Sequence, residues 1–182
     1  MFSFLKKRQL DTTKTVDKIE NIVHSWAKPL GFKKHGRTLH RFVDGNISQV
    51  INFQNGCPEK QVYGVLWVNL GIRVPECSSF PDEQKAYYKE YECNIRCRLD
   101  EYVDKKVNPY KLSDDPQKTA NDIIEKIERF VIPVFDTLSS RESIADNLEN
   151  FPDFNSFRNH LIRNDVDLII KHMKQSNPEQ SS

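Results

Sequence analysis

The sequence predicts an α+β fold: an antiparallel sheet of about four strands with an N-terminal and a C-terminal helix packed on one face, plus a C-terminal helical extension. Three observations carry this. Strand-like runs follow one another between Gly31 and Gly71, apolar residues recur at steps of three and four on both sides of that stretch, and Asp44-Gly45-Asn46 separates the first two runs as a hairpin turn would.

The first helix is read from Val16, Ile19, Val23, Trp26 and Leu30, which form one stripe with Ile22 at its flank. Asp11, Thr12 or Thr13 supplies a cap, while Pro29 and Gly31 end the helix. The runs 37–43 and 47–54 then form a hairpin, and its turn length fixes its faces. A two-residue loop would set Leu39 and Val43 opposite to Ile47, Ile51 and Phe53. A three-residue loop pairs Val43 with Ile47 and gathers all five on one side, the preferred register because a slip of one residue flips a whole strand. Arg37, Arg41 and Gln49 fall on that apolar side, and the expectation is that they reach out at the sheet's edge.

After a loop over 55–61, the run 62–74 carries Val62, Leu66, Val68, Leu70, Ile72 and Val74 on one side and Tyr63, Val65, Trp67, Asn69 and Arg73 on the other, which suits a central strand. The segment 75–92 has no clear period and is long for a connection. Cys93, Ile95, Cys97 and Leu99 alternate with Asn94, Arg96 and Arg98 as a fourth strand, followed by a polar loop through Asn108-Pro109-Tyr110. Asp115-Pro116 opens the second long helix, striped by Ala120, Ile123, Ile124, Ile127, Phe130 and Val131 and kinked or ended at Pro133. Short helices are expected around Ile144, Ala145 and Leu148, around Phe154, Phe157, Leu161 and Ile162, and from Asp165 through Met173. The domain reading is a core over 11–138, a helical extension over 139–174 and a disordered polar tail over 175–182.

Composition bounds the function. The chain has 182 residues, 37% of them hydrophobic and 29% charged, enough for one real core beneath a polar surface. Lysine and arginine (27) balance aspartate and glutamate (26), and a net charge of +1 gives no long-range pull towards nucleic acid or an anionic membrane. No run approaches the roughly 18 apolar residues of a membrane span. The apolar residues of Met1–Arg8 precede the basic ones, the reverse of a secretory signal. The expectation is a cytoplasmic protein away from membranes.

Four segments carry a resemblance: G-F-K-K-H-G-R-T-L-H-R at 31–41, V-I-N-F-Q at 50–54, V-N-L-G-I at 68–72 and I-R-C-R-L at 95–99. Together they resemble the bacterial domain of unknown function 4304 family, over roughly 11–138. The resemblance implies an α+β bacterial domain and brings no catalytic residues with it. Some families of this kind sit beside toxin genes as immunity proteins, which implies a protein partner. Members often carry a tryptophan-rich segment before the last core helix, where this chain has Asn108-Pro109-Tyr110-Lys111-Leu112.

The titratable residues suggest no cofactor and no metal. Cys57, Cys77, Cys93 and Cys97 make no C-x-x-C pair, and Cys93 and Cys97, four apart on a strand, stand about 13 Å apart, so buried free thiols are expected. His24, His35, His40, His160 and His172 lack metal-ligand spacing, and no nucleophile-elbow or phosphate-loop motif occurs. Asp82-Glu83 and Asp114-Asp115 read as caps or solvated carboxylates. What remains is a surface. The non-core sheet face presents His40, Phe42, Asn52, Gln54, Tyr63, Trp67, Asn69, Arg73, Asn94, Arg96 and Arg98, the amide, aromatic and arginine mixture of recognition surfaces. The candidate partner-binding residues are His40, Asn52, Gln54, Trp67, Asn69, Arg73, Arg96 and Arg98. The leading reading is a non-enzymatic protein-binding domain of immunity type that takes a toxin on this face, with the 75–92 segment contributing. One alternative is a small hydrolase or nucleotide-handling enzyme built on His40 with Asn52, Gln54 and Arg73. It requires a pocket with His40 inside and a carboxylate within reach. The other is nucleic-acid binding through Arg37, Arg41, Arg73, Arg96 and Arg98.

Overall fold

The computed structural model describes residues 11–56, 64–77, 85–113, 115–150 and 171. Cys57, Tyr63, Asp82, Glu83, Asp114, His160, His172, the two last predicted helices and the polar tail lie outside the described residues. The chain is α+β, as predicted. Helix α1 (Thr12–Ala27) starts at Asp11, whose carboxylate accepts from the Lys14 N–H at 3.1 Å. A 3-10 turn, Lys28–Leu30, carries Pro29, and Gly31 at φ 87° ends it in the left-handed region.

Strands β1 (Lys33–His35), β2 (Thr38–Val43), β3 (Ile47–Gly56), β4 (Val65–Arg73) and β5 (Ile95–Arg98) pair antiparallel in sequence order, and β6 (Tyr110–Lys111) pairs β4 beyond the end of β5. The sheet therefore has six strands rather than about four. β1 escaped the sequence reading because it is short and almost wholly polar, and Tyr110–Lys111 read as loop. Val43 faces Ile47 across Asp44-Gly45-Asn46, the three-residue register expected. Asp44 and Gly45 take positive φ, 43° and 76°, which is why short and turn-forming residues stand there.

That register gathers Leu39, Ile47, Ile51, Phe53, Leu66, Leu70 and Ile72 into one core cluster with Val16, Ile19 and Val23 of α1. Two stripes need correction. Leu30 is exposed and Ala27 takes its place in the core. Phe130 is exposed as well, because the second long helix is not uniform. It runs as α3 (Pro116–Lys126) and α4 (Ile132–Thr137), joined by a π-turn, Ile127–Val131. Pro133 lacks the N–H that would bond the carbonyl of Arg129, and the wider turn ahead of it absorbs the mismatch. It also lets Ile123, Ile127, Val131 and Phe135, spaced by fours, stay buried together, which a turn of about 3.6 residues would not.

Gln49 does not reach out at an edge. It is fully buried, and its amide donates to the carbonyls of Phe135 and Leu138, satisfying the end of α4. Its own oxygen accepts from Arg41 Nε at 2.6 Å, and Arg41 continues to the Leu30 carbonyl and to Asp136. The polar residues on the apolar face thus tie the helices to the sheet. Past the core, Ser140 caps α5 (Arg141–Asn150) through the Ser143 N–H at 3.1 Å, and Ile144 and Ala145 join the same apolar cluster.

The chain on either side of β5 also departs from expectation. Leu99 is not a strand residue but opens helix α2 (Leu99–Asp104). Cys93 is not on the apolar face with Cys97. It closes a 3-10 turn, Glu90–Glu92, and sits over Gly71 on the opposite face. A Cβ on Gly71 would stand 2.7 Å from Cys93 Sγ and 2.8 Å from its Cβ. Gly71→Ala is therefore expected to cost about 1–3 kcal/mol in urea unfolding by overpacking, and Gly71→Ala with Cys93→Gly to cost less than the sum of the two single changes. Additive losses would show that the contact does not hold.

Candidate functional site

The second face of the sheet is ordered in rows that the register sets out. Thr38, Asn52, Asn69 and Arg98 form one row across β2–β5, extended by His35 on β1, with Gln54 and Trp67 beside it. The next row holds Lys33, His40, Val50, Gly71 and Arg96, and the last holds Phe42, Ser48 and Arg73. The eight predicted residues do share this face, but it is not uniformly open. Residues 85–94 cross it as a strap, and His40, Asn69 and Arg73 are buried.

The strap is held at several points. The ring of Tyr88 lies 4.0 Å from the Arg73 guanidinium and meets Phe42 edge-on, while Tyr87 stacks on His35 at 3.6 Å. Glu92 accepts from Lys85 Nζ at 2.6 Å and from the Lys89 N–H at 2.8 Å. Burial raises the Glu92 carboxyl, but those two bonds outweigh it and the group ionises below its ordinary value. Glu90 lies 3.7 Å from Arg96, and Asn94 bonds both the Val74 N–H and the Cys77 carbonyl. Arg96 and Asn94, expected on an open face, are thus strap anchors.

His40 lies beneath this strap, 6.1 Å from the Tyr87 ring and 5.7 Å from Phe42. Its buried Nδ1 has no hydrogen-bond partner among the described residues. Burial first, then the charges of Lys33 and His35, hold its imidazole below the ordinary 6.5. The groups around it are cationic or aromatic, unlike the carboxylate that orients a catalytic imidazole.

The other end of the face is more open: Gln54 is exposed and Asn52, Trp67 and Arg98 are half-buried, while Thr38 and Asn69 are buried. There the amides form a chain. Asn52 Nδ2 donates to the Arg37 carbonyl at 3.3 Å and to Thr38 Oγ1 at 3.0 Å. Asn69 Nδ2 donates to Asn52 Oδ1 at 3.4 Å and to Gln54 Oε1 at 3.2 Å. Trp67 is half-buried beside Gln54, with the Arg98 guanidinium 5.5 Å over its ring, and a Cβ on Gly56 would overlap that ring. Beside these residues, under the strap, lies a groove of about 650 Å³, lined among others by His35, Arg37, Thr38, Gln54, Tyr87 and Lys89, with Trp67, Asn69 and Arg98 outside the lining. His40 is not part of the lining. The sequence points to the 75–92 segment as a contributor without singling out Tyr87 and Lys89 within it, and it does not single out His35. Its available signals were the His35-Gly36 turn, where glycine takes φ 55°, and the tyrosine cluster of the strap.

Residues 23–137, more than half of the chain, match the family described as domain of unknown function (DUF4304). The chain belongs to the DUF4304 family. The match spans all six strands and runs to the end of α4, so the groove and the described part of the strap lie within the DUF4304 region and α5 lies beyond it. No curated protein and no solved structure matches the chain. Among the described residues of this DUF4304 member, no group of three or more histidines, cysteines and carboxylates is placed to hold a metal ion, and no helix is long and apolar enough to cross a membrane. Cys77, Cys93 and Cys97 are buried, and burial raises the thiols of Cys93 and Cys97.

The environment of His40 sets a pH dependence. As pH falls through 6.5 the unfolded chain binds a proton on His40 before the folded one does, so His40 removes stability on the acid side. Glu20 has the opposite sign. Its burial, partly offset by Arg37 and Lys34, raises its carboxyl above 4.5, so it adds stability as pH falls through that raised value. Comparing wild type with His40→Phe cancels Glu20. The urea midpoint of the wild type should fall relative to the variant on going from neutral to mildly acid pH, and parallel profiles would rule out a depressed His40.

Proposed function

We propose that this chain is a non-enzymatic, protein-binding domain that meets its partner at the open end of the second sheet face, with Gln54, Trp67 and Arg98 as contacts and the groove under the strap as the recess. The observation that carries this reading is the groove itself. It is a polar recess whose amides are oriented by their neighbours, with aromatic side chains at its rim, the mixture that gives both contact area and directional bonding. Preorganised amides lower the ordering cost of binding. The buried His40, Asn69 and Arg73 then act behind the surface, holding the face in shape, rather than as contacts.

The alternatives have less support. A hydrolase built on His40 needs a carboxylate beside it and a substrate recess that includes it. Its described neighbours are Lys33, His35, Phe42 and Tyr87, and the groove runs past it. Nucleic-acid binding needs arginines aligned towards phosphates. Here Arg37 pairs with Glu20 and Asp17, Arg41 with Asp136, Arg96 with Glu90 and Arg98 with Glu101, while Arg73 is buried at Tyr88. The finer form of the reading is an immunity-type protein of the bacterial cytoplasm that holds a toxin. Buried thiols suit such a reducing compartment.

The test is capture from a source lysate with wild-type, Trp67→Ala and Lys14→Ala baits, then calorimetry with the purified partner. Trp67→Ala is expected to weaken binding roughly tenfold or more, with a urea midpoint that shows the domain intact. Lys14→Ala, on an exposed turn of α1, is expected to bind as the wild type does. Equal affinity of Trp67→Ala and wild type would remove the site.

A further inference from the structure

The amide chain on the groove floor has a direction, and the direction is set by the backbone. The Arg37 carbonyl can only accept, so the side-chain nitrogen of Asn52 must face it. Asn52 Oδ1 then faces Asn69, which must donate. The second N–H of Asn69 goes to Gln54, so Gln54 turns its oxygen inward. Its remaining group, the exposed NH2, is left pointing away from the chain. Thr38 Oγ1 accepts from Asn52, and its O–H is left to donate. The outer ends of this neutral network, Gln54 Nε2 and the Thr38 O–H, are thereby donors.

Charge runs the same way. Lys89 lines the groove, and its ammonium, 5.6 Å from the centre of the Tyr91 ring, makes no ion pair among the described residues. Lys33 stands on the same face one row away. Among the described residues, no carboxylate side chain lines the groove. Arg37 is already held by Glu20 and Asp17 at 3.0 and 3.3 Å, so it contributes position rather than spare charge. An occupant must therefore supply acceptors and negative charge, and His35 stacked on Tyr87 gives it an aromatic wall to lie against.

We infer that the groove takes a glutamate or aspartate side chain presented by an extended segment of a protein partner, with the carboxylate received by Gln54 Nε2 and the Lys89 ammonium. This rests on the reading of the face as a protein-binding surface. Charge-assisted bonds to a carboxylate are the stronger kind, and one within a recess is less screened than on open surface.

The experiment follows side-chain and backbone amide signals of the whole chain during titration with three probes. These are a short capped peptide alternating glutamate and valine, the same peptide with glutamine for glutamate, and inorganic phosphate. The glutamate peptide is expected to shift the Gln54 carboxamide and the backbone amides at 87–89 saturably, and the glutamine peptide to leave them in place. Gln54→Glu keeps an acceptor for Asn69 while replacing the donor, and Lys89→Glu reverses the charge. Each should weaken the glutamate peptide by roughly tenfold or more. Equal shifts by both peptides would overturn the carboxylate preference and leave the protein-binding reading standing. Shifts by phosphate alone would overturn the inference, replacing it with a small-anion site. Silence from all three probes would overturn the inference, while the Trp67→Ala comparison would still decide the protein-binding reading by itself.

Discussion

Everything on this sheet depends on the three-residue turn between β2 and β3. Asp44 and Gly45 accept positive φ, the Asn46 N–H bonds back to the Asp44 carbonyl at 2.9 Å, and Val43 is brought opposite Ile47. One residue fewer in that turn would send Leu39 and Val43 to the polar face and Thr38, His40 and Phe42 to the core. The turn is clamped from outside. Arg141, at the start of α5, donates to the Asp44 carbonyl and carboxylate and to Asn46 Oδ1, and its ion pair with Glu76 joins the same site to the end of β4. Desolvation lowers the Arg141 pKa, but Glu76 and Asp44 more than compensate, keeping the guanidinium firmly charged. A helix beyond the family region thus secures the turn on which the family region's two faces depend.

Once the faces are separated, they are used differently. The apolar face is filled by α1, α3 and α4, and its polar exceptions Arg41 and Gln49 are spent on helix ends and an ion pair. The second face is divided by the strap. Under the strap, Arg73, His40 and Ser48 are enclosed with aromatic rings. Beyond it, the amides of Asn52, Asn69 and Gln54 form a short relay that starts at a backbone carbonyl and ends in the open groove. One half of the face is thus a covered support, and the other presents oriented polar groups to the groove.

The sequence carried the sheet's register and both faces because period-two alternation and a single turn decide them. Leu66, Val68, Leu70 and Ile72 point to the core, and Trp67, Asn69 and Arg73 point away, as alternation requires. β1 was not legible, since Lys33-Lys34-His35 has no apolar alternation and is held only by pairing with β2. Neither was the strap, because the contacts that dock it, Tyr88 on Arg73 and Tyr87 on His35, join residues far apart in the chain. Cys93 misled for a related reason. It continues the alternation of Ile95 and Cys97, but the 3-10 turn before it breaks the strand and turns the thiol over Gly71. The π-turn ahead of Pro133 likewise shifted Phe130 out of a stripe that a regular helix would have buried. The candidate site was found as a face, and its division into covered and open halves came from tertiary contacts alone.

The amide relay is polarised, with Asn69 spending its N–H groups inside and Gln54 turning its own outward. Side-chain carboxamide hydrogen exchange measures this directly in the unliganded protein. The account predicts slow exchange for the Asn69 NH2, which is buried and doubly bonded, and fast exchange near the free-amide rate for the Gln54 NH2. A protected Gln54 with an exchanging Asn69 would reverse the relay's direction and contradict the account.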